Sequence, residues 1–196
     1  MRFVLATFNR HKTAELESLL SLPDLVLEAL VDFEGAVSPE EDGETLLDNA
    51  RIKARSALAF TGLPVIADDT GLEVDALDGA PGVHAARYAG PQATYEDNVA
   101  KLLLALEVSR DAARTARFRT VCVALWPEGR EAVAEGVLEG TIVAEARGTN
   151  GFGYDPVFVP AGETRTLAEM NDSEKNAISH RGRAARALAG ALDPRR

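Results

Sequence analysis

Asp68 and Asp69 stand side by side at the end of a short apolar run, Val65-Ile66-Ala67, and Thr70-Gly71 follows them. Neighbouring carboxylates repel each other, and each is costly to bury without a partner. A chain that sets two of them where a strand leaves its core needs positive charge at that place. Adjacent side chains of a regular strand point to opposite faces, so both acids serve one site only if the strand ends and the chain turns. Gly71 suits such a turn. In that arrangement one carboxylate binds a metal ion while the other orients or deprotonates a water.

Three more polar clusters sit where predicted strands end or predicted helices begin, the places where open α/β sheets bind ligands. Thr7-Phe8-Asn9-Arg10-His11-Lys12 joins a strand, Phe3 to Ala6, to a helix that carries Ala14, Leu16, Leu19 and Leu20 at helical spacing. Free backbone N–H groups and the helix dipole there receive an anion, and Thr7, Asn9 and Lys12 add polar groups and a charge. The glycines of a Walker loop are absent. Glu40-Glu41-Asp42-Gly43 precedes a second helix. Acids there complement the helix dipole, and their oxygens also suit Mg²⁺. Asn49 and Lys53, four residues apart, share one face of that helix. The last cluster joins "GFGYDP" (Gly151 to Pro156) with "EKNAISHR" (Glu174 to Arg181). Phe152 and Tyr154 offer flat surfaces to a ring and Asp155 an acceptor. Lys175, His180 and Arg181 offer donors that match the keto oxygens of a purine. Glu73, Asp75 and Asp78 read as surface charges, and His11 and His84 as solvated or packing residues.

Regular elements are needed to hold these groups in place. Thr45 with Asp48, and Thr94 with Asp97, have the spacing of capping boxes. The first opens a helix expected to reach about Phe60 and stop at Thr61-Gly62. The second opens a helix striped by Val99, Leu102, Leu103 and Leu106. Leu25 to Leu30 suits a short strand. "ARFRTVCVALW" and "EAVAEGVLEGTIV", joined across Pro127-Glu128-Gly129, suit a hairpin of long strands. "GYDPVFVP" reads as another strand, and "HRGRAARALAGAL" as a terminal helix with Ser179 as a candidate N-cap. Helical crossovers in the first half and hairpins in the second predict an α/β protein with a mixed sheet.

Bulk properties set limits. A chain of 196 residues is one domain or a compact two-lobed unit, long enough for a real core. A net charge of −10 argues against general binding to nucleic acid or to an anionic membrane. It leaves room for a small anionic substrate in a local basic pocket or beside a bound cation. The single cysteine, Cys122, cannot form an intrachain disulfide and reads as a core residue of a strand. No apolar run approaches the ~18 residues of a membrane span, and the N-terminus lacks a signal core, so the cytoplasm is the expected location.

Taken together, "TFNRHK", "EEDGETLLDNARIKA", "ADDTGLEVDALDGAPGVHAARYAG", "GFGYDPVF" and "EKNAISHR" resemble, in order, the motifs of the inosine/xanthosine triphosphate pyrophosphatase family, the Ham1-like enzymes. The resemblance runs from Thr7 to Arg181. It implies a single domain over 1–196 with an elongated two-lobed α/β fold. A long mixed β-sheet would be flanked by helices, with the active-site cleft between lobes. It implies hydrolysis of ITP, dITP and XTP to the monophosphate and pyrophosphate, with Mg²⁺ as cofactor and a homodimer as the working form. Carried onto this chain, Thr7, Phe8, Asn9, Arg10, His11 and Lys12 form the phosphate-binding segment, with Lys53 nearby. Glu40 or Glu41 binds metal together with Asp69. Asp69 is the proton acceptor with Asp68 beside it, and Thr70 contacts substrate. Phe152, Gly153, Tyr154, Asp155, Lys175, His180 and Arg181 hold the nucleoside. Two residues depart from the family pattern: Phe8 replaces a small residue, and Thr70 replaces a serine while keeping the hydroxyl. The rival readings are a Maf-like pyrophosphatase, disfavoured by "SHR" and "GFGYDP", and a non-catalytic nucleotide sensor, disfavoured by the acids.

Overall fold

The structure is a computed structural model that describes residues 1–20, 22–108 and 113–192. The chain forms two compact units. The first comprises Met1–Asp69, Thr120–Gly136 and His180–Arg196, and the second Thr70–Arg119 and Val137–Ser179.

The strands are β1 (Arg2–Leu5), β2 (Val26–Ala29), β3 (Val65–Val74), β4 (Pro81–Gly82), β5 (Thr115–Leu125), β6 (Glu131–Ile142) and β7 (Phe158–Pro160). The helices are α1 (Arg10–Leu19), α2 (Leu46–Thr61), α3 (Tyr95–Val108), α4 (Asp172–Ile178) and α5 (His180–Leu192). The strands form one mixed sheet in the order β2-β1-β3-β5-β6-β7, with β4 paired to β3. β1 runs parallel to both β2 and β3, as helical crossovers require, while β4 is antiparallel to β3 and β7 to β6. The expected α/β class with a mixed sheet and flanking helices is the one observed.

Local chemistry explains the element ends. Thr45 and Asp48 cap each other reciprocally at the start of α2, and Gly62 closes that helix in the left-handed conformation. Thr94 and Asp97 cap α3 in the same way. Gly129, in the turn between β5 and β6, has a positive φ.

Each unit has its own core. In the first, Phe3, Leu5 and Ile66 meet Leu16 of α1, Leu20 just after it, and Ala184 and Leu188 of α5, with Cys122 among them. Burial pushes the Cys122 thiol up to about 12, with Asp68 adding to the effect, so it is an inert core residue. In the second, Leu72, Leu102, Leu106, Phe118, Tyr154 and Phe158 form the centre. Arg117 bonds to Asp75 and Glu139, and Arg119 to Glu73, so two of the three charges expected at the surface, Glu73 and Asp75, are paired.

Three local expectations are corrected. The acids at 68 and 69 do not end a strand, because β3 continues through them to Val74. Backbone pairing explains this: β3 is bound to β1 at Val65 and Ile66 and to β4 at Leu72 and Glu73, so the ladder holds both ends extended. The "GYDPVFVP" segment is a 3-10 turn over Asp155–Val157 followed by a strand of only three residues, because Pro156 has no N–H to donate to a ladder. The segment Asp172–Ile178, expected only as a polar cluster, is helix α4, capped by Asn171 and Glu174.

Candidate active site

Strand alternation sends the two central acids to opposite faces of β3. Ile66 and Asp68 share the face covered by α1 and α5, where Ile66 joins the core. There Asp68 Oδ2 lies 3.2 Å from Lys12 Nζ of α1 and 3.2 Å from Arg181 Nε of α5. Asp69 instead meets α2. Its Oδ1 accepts from Lys53 Nζ at 2.8 Å and its Oδ2 from Asn49 Nδ2 at 3.3 Å. The acids therefore do not converge by a turn, as the sequence suggested. Each makes its direct contacts with different cations, while Lys53 also acts on Asp68 through space.

Helix α2 also holds the acidic loop that precedes it. Asn49 is fully buried, and while its amide donates to Asp69 its carbonyl accepts from Gly43 N at 2.9 Å. A Cβ on Gly43 would lie 2.6 Å from that carbonyl oxygen, so the loop closes on α2 only with glycine there. Glu41 is thereby brought to Lys53, with Oε2 2.9 Å from Nζ. The Lys53 ammonium thus bridges Glu41 and Asp69, and Glu40, next in line, is exposed.

Sequence reasoning missed Glu15. It lies three residues after Lys12 on α1, a spacing that puts both on one helix face and was the available signal. Glu15 Oε2 accepts from Arg181 Nη1, so Arg181 is clamped between Glu15 and Asp68. Four carboxylates (Glu15, Glu41, Asp68 and Asp69) are thus set among three cations, Lys12, Lys53 and Arg181.

These partners decide the protonation states. Burial by itself would raise the Asp68 carboxyl, but Lys12, Arg181 and Lys53 outweigh it and hold the group well below the usual carboxylate range. Burial opposes the charge on Arg181 too, yet Asp68 and Glu15 more than offset it. Lys53 is raised because Asp69, Asp68 and Glu41 together outweigh its desolvation. Lys12 goes the other way. Burial, with repulsion from Lys53 and Arg181, overcomes its attraction to Asp68, and its ammonium is easier to deprotonate than usual.

The Thr7–Lys12 segment is built, but its donors are engaged. Asn9 caps α1, with Oδ1 accepting from His11 N and Lys12 N at 3.0 and 3.4 Å, and Thr7 Oγ1 accepts from Asn9 N at 3.1 Å. The N–H groups of Asn9, His11 and Lys12 are thus satisfied by the loop's own short side chains. Arg10 is exposed and pairs with Asp32, His11 is exposed, and Phe8 is half-buried.

A second polar group lies in the second unit. Asp155 is buried, and its Oδ2 accepts from Lys175 Nζ at 2.6 Å and from Phe152 N at 2.8 Å. Lys175 Nζ also lies 4.9 Å from the centre of the Phe152 ring, a cation–π distance. Gly151 has φ of 75°, and a Cβ there would sit 2.1 Å from Asp155 Oδ2, so no other residue fits. Asn150 ties the start of the loop down by donating to Met170 O and Asp172 Oδ1. Phe152 and Gly153 remain partly exposed. Tyr154 does not offer the open flat face expected of it, because its ring is in the core and its hydroxyl donates to Ala85 O at 2.9 Å. Thr70 is half-buried on β3, and His180 is buried at the start of α5.

Buried acids kept ionised among lysines and an arginine equip a protein to bind a highly charged substrate and to move a proton from water. An aromatic ring beside a buried Lys–Asp pair equips it to hold a flat heterocycle. The chain belongs to the Ham1 family, whose model matches residues 3–191. It is 48% identical over 197 residues to a dITP/XTP pyrophosphatase of Thioalkalivibrio sulfidiphilus, covering 100% of both chains. It is 49% identical over 193 residues to a dITP/XTP pyrophosphatase of Shigella flexneri, covering 97% of this chain and 98% of that one. A solved HAM1 protein from Coxiella burnetii superposes with a TM-score of 0.89 at 43% identity, over 98% of each chain.

The Asp68 cluster has a measurable signature. Asp68→Asn is expected to destabilise the protein by about 3–5 kcal/mol at neutral pH, because it leaves buried cations under-compensated. The folded-state pKa is depressed, so the wild-type advantage is fully present above the unfolded value and is lost as pH falls through the folded one. Urea denaturation of both proteins from pH 7 to pH 3 should show the gap narrowing only below about pH 4. A gap that is constant over the range, or that closes at higher pH, would contradict the assignment.

Proposed function

We propose that this protein hydrolyses non-canonical purine nucleoside triphosphates (ITP, dITP and XTP) to the nucleoside monophosphate and pyrophosphate, with Mg²⁺ as cofactor. The observation that carries the reading is the Lys53 ammonium held between Glu41 and Asp69. Two carboxylates already converge on one positive charge at a place where the acids outnumber the cations.

That donor set fits Mg²⁺, a hard cation bound through oxygen that commonly takes one or two carboxylates and completes its shell with water and substrate phosphates. Glu41 and Asp69 are the residues that would hold it. When bound, it supplies charge neutralisation on the phosphates.

The chain's own residues do the rest. Asp69, oriented through both carboxylate oxygens by Lys53 and Asn49, takes the proton from the attacking water as the new P–O bond forms and pyrophosphate leaves. Lys12 exchanges Asp68, and Lys53 exchanges Glu41, for phosphate oxygens, and both offset the charge that develops there. Thr7 and Asn9 keep the loop before α1 in shape. Arg181, clamped by Glu15, holds Asp68 in place. Little covalent chemistry falls to the protein, so positioning and electrostatics carry most of the rate.

In the second unit, Phe152 provides the stacking surface and Asp155 fixes Lys175 beside it. A keto oxygen on the purine suits a donor such as Lys175. Adenine presents an amino group there instead, which leaves a buried donor unpaired at a cost of roughly 1–3 kcal/mol each. Homodimer formation and a cytoplasmic site of action go with this reading.

Pyrophosphate release should be measured across ITP, dITP, XTP and the standard triphosphates, with and without Mg²⁺. The expected result is Mg²⁺-dependent cleavage of the deaminated purines, with ATP slower by about a hundredfold or more. Equal rates on ATP and ITP would refute the selectivity, and turnover unaffected by chelation would refute the metal. Asp69→Asn should lose turnover by at least about a hundredfold while keeping its circular dichroism spectrum. Near-normal activity of that variant would remove Asp69 from its role.

A further inference from the structure

The Phe152 ring has a second aromatic neighbour. Tyr95, the first residue of α3, has its ring centre 5.8 Å from that of Phe152, with the planes inclined at 40°. This is the spacing of an attractive aromatic pair. Tyr95 is 37% exposed and Phe152 is partly exposed, so the two rings together present an open apolar surface.

The position of Tyr95 is fixed by contacts that do not use its side chain. Thr94 and Asp97 close a capping box around it. One turn on, the buried side chain of Asn98 accepts from Ala89 N at 2.8 Å and donates to Ala86 O at 3.2 Å. Tyr154, two residues after Phe152, reaches the same segment through Ala85 O. The start of α3 and the Phe152 loop are thus tied to one short stretch, 85–89, and their rings are held side by side. The Lys–Asp pair fixes Phe152 through the loop backbone, and Tyr95 adds a contact on the ring itself.

We propose that Tyr95 is a positioning residue for the purine: it sets the Phe152 ring at the inclination at which a base stacks. The inference rests on the purine-nucleotide reading of the Phe152 loop. It assigns a role to a residue outside every motif that pointed to the function.

Binding of inosine monophosphate by calorimetry tests it without requiring turnover. Tyr95→Ala is expected to weaken that binding about two- to tenfold, the range for one aromatic pair. KM for ITP should rise by a similar factor while kcat stays within about twofold, since the contact serves base binding and not the phosphorus chemistry. Tyr95→Phe should retain wild-type values. In a Phe152→Ala background the further change Tyr95→Ala should cost nothing, because the pair is already broken. Unchanged affinity in Tyr95→Ala, an equal loss in both backgrounds, or a loss in Tyr95→Phe overturns the proposal. So does a wild-type protein that does not bind inosine monophosphate. Coupled binding effects in a protein that releases no pyrophosphate from ITP would uphold the role of Tyr95 and refute the hydrolase reading alone.

Discussion

Two carboxylates adjacent on one buried strand set the constraint on which the first unit is built. Asp68 and Asp69 are almost fully buried, and ionised acids in that setting cannot be left without partners. Because β3 runs straight through them, they need cations on both faces of the sheet. α1 and α5 supply Lys12 and Arg181 to one face, and α2 supplies Lys53 to the other. Phe3, Leu5, Ile66 and Ala184 form a core close to these ion pairs, so the charges and the apolar packing position each other.

On the proposed reading, such a cluster exchanges partners when the nucleotide binds. Lys53 already binds two carboxylates, while Lys12 is charged only against the pull of its desolvation. Phosphate oxygens would complete what the carboxylates only partly provide for Lys12, and a divalent cation would relieve the crowding of acids around Lys53. The second unit uses the same device on a smaller scale. One buried carboxylate, Asp155, fixes both a lysine and the backbone beside an aromatic ring, and Gly151 leaves the space for it.

Much of this was legible in the sequence where one residue type has one local consequence. Thr45–Asp48 and Thr94–Asp97 announced their helices, Gly62 closed α2, and the i, i+4 pair Asn49 and Lys53 did reach a common partner. The motif residues Lys12, Asp68, Asp69, Asp155 and Lys175 were all singled out before their contacts were known. What failed depended on the far end of an interaction. The acids look like a turn because backbone pairing with β1 and β4 cannot be read from Asp-Asp-Thr-Gly. Tyr154 looks like a free ring because its partner, Ala85 O, lies 69 residues away. Glu15 was missed because its partner, Arg181, is 166 residues along the chain, and Tyr95 because no motif contains it. Local chemistry writes caps and turns into the sequence, whereas tertiary pairing is written only in the fold.

Surrounding cations, and not exposure to water, keep the buried acid Asp68 ionised. Carbon-13 NMR of the aspartate side-chain carboxyls, with Asp68 assigned by its loss in Asp68→Asn, measures this directly. The Asp68 signal should not titrate near its ordinary value of 3.8 and should remain that of a carboxylate as far down in pH as the fold survives. A titration at or above 3.8 would contradict it, since burial would then have outweighed Lys12, Lys53 and Arg181.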